Sequence, residues 1–206
     1  MQNLNNKIEQ ALKLFKTGGM LVVTDDMDRE NEGDLIVAAE FCTIEQMALM
    51  IRYTSGIICT PLLQSIANRL NLPPMIQNNN SLHNTAFTIS VDSAKNVTTG
   101  ISASDRVNTV KLLADPNSKI DDFVRPGHIF PLVAKDGGVL ERRGHTEAAV
   151  DLCRLTNLSP VAVIGELMND DGSVMIGDQL INFTKQYNFL TITIDELVQY
   201  RKSCLK

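Results

Sequence analysis

The chain has 206 residues, 44% of them hydrophobic, and a formal net charge of −5. These values fit one globular domain with a buried core, and the acidic balance argues against nucleic-acid binding through a basic face. No apolar run approaches the roughly 20 residues that span a membrane, and the amino-terminal sequence lacks the pattern of a signal peptide. The four cysteines form no C-x-x-C pair, as is typical of reduced thiols, so we expect a cytoplasmic protein.

The first third of the chain predicts two helices and three strands. Four apolar residues recur at helical spacing near the amino terminus: Leu4, Ile8, Leu12 and Phe15. This pattern predicts an amphipathic helix over residues 4–16. Strands are predicted for three short apolar runs, at residues 20–24, 35–39 and 57–60. Thr43 and Gln46 have the spacing of a capping box for a helix to about Arg52, and Pro61 is expected to close the third strand.

The remaining two thirds continue the alternation of strands and helices. Residues 73–84 are rich in Pro and Asn and predict a loop, as do residues 115–127. Strands are predicted at residues 85–91, 129–134, 160–167 and 190–193. Helices are predicted at residues 102–114, capped by Ser102, 146–155, capped by Thr146, and 178–187, with a last short helix after the final strand. Pro131 predicts an edge or a bulge for its strand. Strands that alternate with helices, some through short links, favour a mixed sheet covered on both faces.

The first candidate site is the acidic segment at residues 25–34, six of whose ten residues are Asp or Glu. It follows a predicted strand, where α/β proteins commonly bind ligands, and Arg29 within it suits a phosphate or carboxylate clamp. The alternative is an ordinary solvated loop. An EF-hand is excluded, because counting from Asp26 places Asn31 where glycine is needed and Val37 where glutamate is needed. Hard oxygen ligands of this kind suit magnesium.

The second candidate site is the segment RRGHTE at residues 142–147, which leads into a predicted helix. The first turn of a helix offers free N–H groups and a positive dipole end to a phosphate. Gly144 allows close approach, Arg142 can add a bidentate contact, and His145 can act as a metal ligand. The alternative is an ordinary helix start with a surface histidine.

Two further residues suit proton transfer. His128 begins a predicted strand, and Glu166 ends the most apolar one, a position that suits a general acid or base. They are candidates for a proton-relay pair whose contact the sequence leaves open, and a structural histidine is the alternative for His128. Residues 98–106 form a polar glycine-containing loop that suits either an oxygen-rich ligand or a plain helix cap. Cys59 is expected to be a buried, inert thiol. The chain has no Walker, G-x-G-x-x-G or H-E-x-x-H motif.

Seven segments, in this order, resemble the 3,4-dihydroxy-2-butanone 4-phosphate synthase family. They are DDMDRENEGDLIVAAE at 25–40, YTSGIIC at 53–59, TAFTISVD at 85–92, TTGISASDR at 98–106, RPGHIFPL at 125–132, RRGHTEAAVDL at 142–152 and the strand ending in Glu166. Each motif alone is moderately specific, whereas the ordered set is highly specific and spans nearly the whole chain.

The resemblance implies an α+β fold, a three-layer α-β-α sandwich with a mixed, twisted central sheet, in a single domain over residues 1–206. It also implies a magnesium-dependent lyase of riboflavin biosynthesis, with manganese as an alternative ion. Such an enzyme converts D-ribulose 5-phosphate to L-3,4-dihydroxy-2-butanone 4-phosphate and formate, through a metal-stabilised enediol and a skeletal rearrangement. A homodimer with sites near its interface is implied as well. Because the chain ends at Lys206 without a GTP cyclohydrolase II domain, we expect the monofunctional type.

The resemblance also implies roles for individual residues. Glu30 and His145 correspond to metal ligands, and His128 and Glu166 to the essential proton-handling pair. The substrate contacts it implies are Arg29, Glu30, Asp34, Arg142, Arg143, Gly144, His145, Thr146 and Glu166, with residues 142–146 holding the phosphate. Arg143 lies at a variable position of the family. His83 receives no role, because residues 73–84 match the family pattern poorly.

Three competing functions follow from the same residues. A different metal-dependent sugar-phosphate enzyme, such as an isomerase or aldolase, would form an enediol and release no formate. A non-catalytic protein of the same fold would bind the phosphate without turnover, although it would have no reason to keep both His128 and Glu166. A nucleotide-binding protein is least favoured, because the chain lacks a nucleotide-binding motif.

Overall fold

The computed structural model describes residues 2–26 and 28–204. Met27 of the acidic segment lies outside the described residues, as does the side chain of Leu4. Seven helices are described: α1 (Gln2–Lys16), α2 (Ile44–Tyr53), α3 (Gln64–Arg69), α4 (Ala103–Ala114), α5 (His145–Leu155), α6 (Gly177–Gln186) and α7 (Ile194–Cys204). Seven strands are described: β1 (Leu21–Thr24), β2 (Gly33–Ala38), β3 (Cys59–Leu63), β4 (Val91–Ser93), β5 (Phe123–Ala134), β6 (Ala162–Glu166) and β7 (Leu190–Thr193).

The strands form one mixed sheet in the order β4-β5-β3-β6-β2-β1-β7. β1 pairs in parallel with β7, and β3 pairs in parallel with β5. The pairs β1–β2, β2–β6, β3–β6 and β4–β5 are antiparallel. The sheet therefore confirms the predicted mixed topology.

Side chains that alternate along each strand supply two separate cores. In β2, Leu35 and Val37 belong to a core that also receives Met47 and Met50 of α2 and residues of α4 and α6. Ile36 and Ala38 face the opposite core, which is closed by α1, α5 and α7. The helices thus cover both faces of the sheet, which confirms the three-layer α-β-α sandwich.

The predicted helices agree with the structure, and two predicted caps are confirmed. Thr43 and Gln46 form the reciprocal capping box that starts α2, and Ser102 accepts a hydrogen bond from the N–H of Asp105 at the start of α4. The cap predicted at Thr146 is wrong. α5 begins one residue earlier, with Gly144 at the cap position and no side-chain cap bond. No helix of the described residues is long and apolar enough to cross a membrane.

The prediction that Pro61 closes its strand is also wrong, because β3 continues to Leu63. The parallel ladder with β5 runs through Pro61. On the other side, β3 meets β6 only at Cys59 and at an isolated bridge between Leu62 and Val161. The missing N–H of proline therefore interrupts pairing on one side of the strand without ending it.

The strand predicted at residues 85–91 is displaced. Phe87 and Thr88 make only isolated bridges, and the regular strand β4 begins at Val91. β5 is an interior strand, so of the edge or bulge predicted for Pro131 the edge is wrong. Because β5 begins at Phe123, the predicted 115–127 loop is too long. Pro131 presents its carbonyl to the N–H of Thr88. Because proline has no N–H to return, a regular ladder cannot form there.

Candidate active site

One end of the sheet brings together residues from separate predicted motifs. Asp34 on β2 pairs directly with Glu166 on β6. Phe130, Cys59 and Ile164 stand in register across β5, β3 and β6. His128 lies two residues before Phe130 on β5, and Glu166 two residues after Ile164. Since side chains repeat every two residues along a strand, His128, Glu166 and Asp34 all point to the face covered by α5.

Asp25 organises the acidic segment at residues 25–34. Its side chain is buried, and its Oδ2 accepts hydrogen bonds from the N–H of Glu30 at 3.0 Å and from Nη1 of Arg29 at 2.8 Å. Its Oδ1 accepts from the N–H of Glu32 at 3.0 Å. Arg29 also contacts the carboxylate of Glu30. The segment is therefore folded around one buried carboxylate, with Glu30 turned towards the sheet end.

His145, the first residue of α5, is buried above the same end of the sheet. Its Nε2 lies 3.1 Å from the carbonyl oxygen of Val23. Because a carbonyl only accepts, Nε2 carries the proton. Nδ1 then turns its lone pair towards Glu30 Oε2 and Asp34 Oδ1, each 3.9 Å away. Burial lowers the pKa of His145 to about 4, so the ring is neutral at neutral pH.

The carboxylates around His145 have the composition of a cation site. Ligand atoms of Asp25, Glu30 and His145, and also of Glu32, Asp34 and His145, lie within 4.8 Å of one another. Oδ1 of Asp34 is buried and has no hydrogen-bond partner among the residues that the structure describes. Burial raises the pKa of Asp34 well above its usual range, with the charge of Glu166 adding to it, and burial with the charge of Glu30 raises the pKa of Glu32 to about 7. An orphaned carboxylate oxygen facing an imidazole lone pair fits a divalent cation.

Arg142 is held rigidly beside this group. Its Nη1 donates to Oε2 of the buried Glu147 at 2.6 Å, and its Nη2 donates to the carbonyl oxygen of His83 at 3.1 Å. The guanidinium of Arg142 packs against the backbone of Gly144, where a Cβ would lie 2.3 Å from Arg142 Nη1. Arg142 and the buried Thr146 line a cavity of about 710 Å³ beneath residues 74–88. A positive side chain at a helix start that borders a cavity suits an anionic group.

Arg143 points elsewhere. Its guanidinium is 41% exposed and pairs with Asp26 Oδ2 and Asp195 Oδ1, each at 2.9 Å. It thus connects the acidic segment to the first turn of α7. The structure does not bring this side chain together with Arg142 and His145.

His128 and Glu166 have separate hydrogen-bond partners. Glu166 Oε2 accepts from the hydroxyl of Ser55 at 2.7 Å, whereas His128 Nδ1 lies 2.6 Å from Asp92 Oδ2. Two inter-strand steps separate them, roughly 10 Å between backbones, and no hydrogen bond joins the two side chains. They share a sheet end and a face, so a substrate can lie between them.

Four residues near these groups were not identified from the sequence as site residues: Asp25, Glu32, His83 and Asp92. His83 Nε2 is 3.6 Å from Glu30 Oε1, although its loop matched the family pattern poorly. Its backbone carbonyl also binds Arg142. Asp25 and Glu32 lie within the acidic segment, whose composition indicated a site but not which of its acids would face His145. Nothing in the sequence around Asp92 signals its contact with a histidine 36 residues away.

Comparisons with known proteins agree with one another. The sequence model described as 3,4-dihydroxy-2-butanone 4-phosphate synthase matches residues 9–200. The chain is 50% identical to the synthase of this name from Histophilus somni, over 96% of this chain and 92% of that one. It is 52% identical to that of Candida albicans, over 97% and 98%. A crystal structure of such a synthase in complex with two magnesium ions superposes with a TM-score of 0.93 at 43% identity, covering 95% of this chain and 96% of that one.

Proposed function

The chain belongs to the 3,4-dihydroxy-2-butanone 4-phosphate synthase family, and on this premise we propose how its residues perform the family's reaction. The chain converts D-ribulose 5-phosphate to L-3,4-dihydroxy-2-butanone 4-phosphate and formate in riboflavin biosynthesis. The proposal is that residues 1–206 form one domain acting as a magnesium-dependent carbon–carbon lyase in the cytoplasm, with manganese as a second usable ion.

The observation that carries the metal proposal is the Nδ1 lone pair of His145, which faces Glu30 Oε2 at 3.9 Å within a group of ligand atoms from Asp25, Glu30 and His145. Glu30 and His145 would hold the ion, with Asp34 contacting the substrate beside it. Bound magnesium would supply positive charge where negative charge develops on the substrate oxygens as a proton leaves next to the carbonyl. A related structure contains two magnesium ions, which supports this choice of ion.

The other residues bind the substrate and move protons. Arg142 and the N–H groups of residues 145 and 146 would hold the phosphate, because the guanidinium is already oriented by Glu147. Arg29 would contact the substrate by replacing its hydrogen bonds to Asp25 and Glu30 with hydrogen bonds to substrate oxygens. His128 and Glu166 would exchange protons with the carbon skeleton from opposite sides of the bound substrate. Because the guanidinium of Arg143 is paired with Asp26 and Asp195, we assign it no direct contact with the phosphate.

A homodimer is part of the proposal. Three aliphatic side chains near His128 are about half exposed: Ile57 (50%), Ile101 (49%) and Val124 (47%). Ile101 follows the glycine that packs on His128, and Val124 stands in register with Asp92. Apolar groups grouped around a polar site commonly belong to an interface. A second copy covering them would also exclude water from His128.

The function is tested by measuring formate release from D-ribulose 5-phosphate. We expect formate with magnesium and none after treatment with a chelator. Glu30→Gln should reduce kcat at least about 100-fold and abolish the magnesium response, because it removes a charged ligand. Asp28→Asn changes an exposed acid of the same segment and should retain activity.

Other outcomes identify the competing functions. Consumption of D-ribulose 5-phosphate without formate would indicate a different enediol enzyme, and no consumption would leave a binding protein. Wild-type activity and magnesium dependence in Glu30→Gln would remove Glu30 from the ligand set while leaving the reaction intact.

A further inference from the structure

Asp92 on β4 and His128 on β5 form a close pair at the same end of the sheet as Asp34 and Glu166, with β3 between β5 and β6. Asp92 Oδ2 lies 2.6 Å from His128 Nδ1, and Asp92 Oδ1 accepts the backbone N–H of His128 at 2.8 Å. Asp92 is buried, whereas the His128 side chain is 39% exposed. One carboxylate therefore holds both the backbone and the ring of the same residue, with the far edge of the ring free.

The hydrogen bonds determine which ring nitrogen carries the proton. A carboxylate that binds two N–H groups acts only as an acceptor. Nδ1 of neutral His128 is therefore the protonated nitrogen, and Nε2 carries the lone pair.

The loop at residues 98–101 closes over the pair. Gly100 has φ +89°, and a Cβ there would lie 2.0 Å from Asp92 Oδ2 and 2.8 Å from His128 Nδ1. The loop is held by Asp105, whose Oδ2 accepts from Thr98 Oγ1 and from the N–H of Gly100. Only glycine leaves room for the carboxylate and the ring beneath this loop.

Few charged groups share this environment. Arg106, buried on α4, interacts electrostatically with Asp92 and donates to the carbonyl oxygens of Ile101 and Gly56. Asp105 faces the loop backbone rather than the ring. Asp92 is the carboxylate in direct contact with the His128 ring among the described residues.

We propose that Asp92 is a positioning residue that holds His128 with Nδ1 protonated and Nε2 free to exchange protons with the substrate. The inference rests on the proposed role of His128. It explains why a half-exposed histidine has one orientation before substrate binds. It also assigns a purpose to the Gly100 loop, which keeps water from competing for Asp92.

Asp92→Asn is the decisive variant. The Asn amide can accept the backbone N–H of His128 and turn its NH₂ group towards Nδ1, which favours the opposite tautomer. A comparable change in serine proteases lowers kcat about 10⁴-fold by this route. We expect kcat to fall about 10²- to 10⁴-fold with KM changed less than about threefold.

Controls separate positioning from folding. Asp92→Glu keeps a carboxylate and should recover at least about tenfold of the lost kcat. Ser90→Ala removes a hydrogen bond to the N–H of Gly127, in the same turn, without touching the carboxylate, and should stay near wild type. Nitrogen-15 NMR of the histidine rings should show the Nδ1–H form of His128 in the wild-type enzyme and the Nε2–H form in Asp92→Asn.

His128→Asn separates the proposed catalytic role of His128 from the proposed positioning role of Asp92. If His128→Asn retains wild-type kcat, the proposed catalytic role of His128 fails and the inference fails with it. If His128→Asn is inactive while Asp92→Asn keeps the wild-type kcat and the wild-type tautomer of His128, only the inference about Asp92 is overturned. If Asp92→Asn does not fold, an Asp92→Glu variant that folds with the Nε2–H form of His128 overturns the inference equally.

Discussion

The three histidines show how strongly the local environment decides the chemistry of one residue type. His145 is buried, donates from Nε2 to Val23 and turns Nδ1 to carboxylates. His128 is half-buried, paired through Nδ1 with Asp92, and turns Nε2 outwards. His83 approaches Glu30 from a loop. His145 therefore suits metal binding, His128 suits proton exchange, and His83 lies where the 73–84 loop meets the site.

The acids next to His145 predict a pH-dependent stability of the protein without cation. Glu32, with an ordinary pKa of 4.5, has its pKa raised to about 7 in the folded state, and the pKa of Asp34 is raised as well. An acid whose pKa is raised in the folded state binds its proton more tightly there than in the unfolded chain. Its contribution to the free energy of unfolding is therefore complete below about pH 4.5 and is lost as the pH rises through about 7.

His145, whose pKa burial lowers to about 4, gains stability as the pH rises from about 4 to about 6.5 and so opposes the two acids in that range. We therefore expect the Tm of chelator-treated protein to fall between about pH 6.5 and about pH 7.5, and magnesium to raise it more at the higher pH. Calorimetry with and without the ion measures both effects. Glu32→Gln should flatten the pH dependence, because the amide does not titrate. A Tm without cation that increases over this range would contradict the proposed burial of these acids.

At the level of elements, capping and pairing determine where each group stands. β2 and β6 bring Asp34 and Glu166 side by side, and α5 begins with His145 directly above them. α2 begins with the reciprocal box of Thr43 and Gln46, and Gln46 Nε2 also donates to the carbonyl oxygen of Gly18 after α1. The helix start is thus linked to the turn that leads into β1.

Thr43→Ala tests this link. Loss of the cap should lower the free energy of unfolding by about 1 kcal/mol, measured by urea denaturation, with formate release unchanged because the cap lies outside the site. Thr43→Ser keeps the hydroxyl and should stay close to wild type. An unchanged denaturation midpoint in Thr43→Ala would show that the box contributes nothing to stability.

For the whole molecule, the homodimer is the prediction to examine. The chain has a mass of 22.7 kDa, so sedimentation should give about twice that value at micromolar concentration. Val124→Asp places a charge among the aliphatic side chains near His128 and should shift the protein towards the monomer. Ile181→Asp changes an equally exposed residue on α6 and serves as the control. A wild-type protein that sediments as a single 22.7 kDa species would contradict the dimer.

The sequence by itself determined most of the elements and the motifs of the site. Helical spacing in α1, the capping box of α2 and the apolar run of β6 are local patterns, and local physics decides them. The acidic segment and the RRGHTE segment were visible because several functional residues lie close together in the chain.

Only the tertiary structure decided which distant residues meet. Pairing between β4 and β5 brings Asp92 to His128, and the loop at residues 73–84 brings His83, which received no role from the sequence, to Glu30. Arg142 and Arg143 are adjacent in sequence, yet Arg143 pairs with Asp195 at the surface and Arg142 pairs with the buried Glu147 beside the site. Proline in β3 and β5 was misjudged because its effect depends on which neighbour its missing N–H faces. Such contacts depend on register and packing, which no local pattern contains.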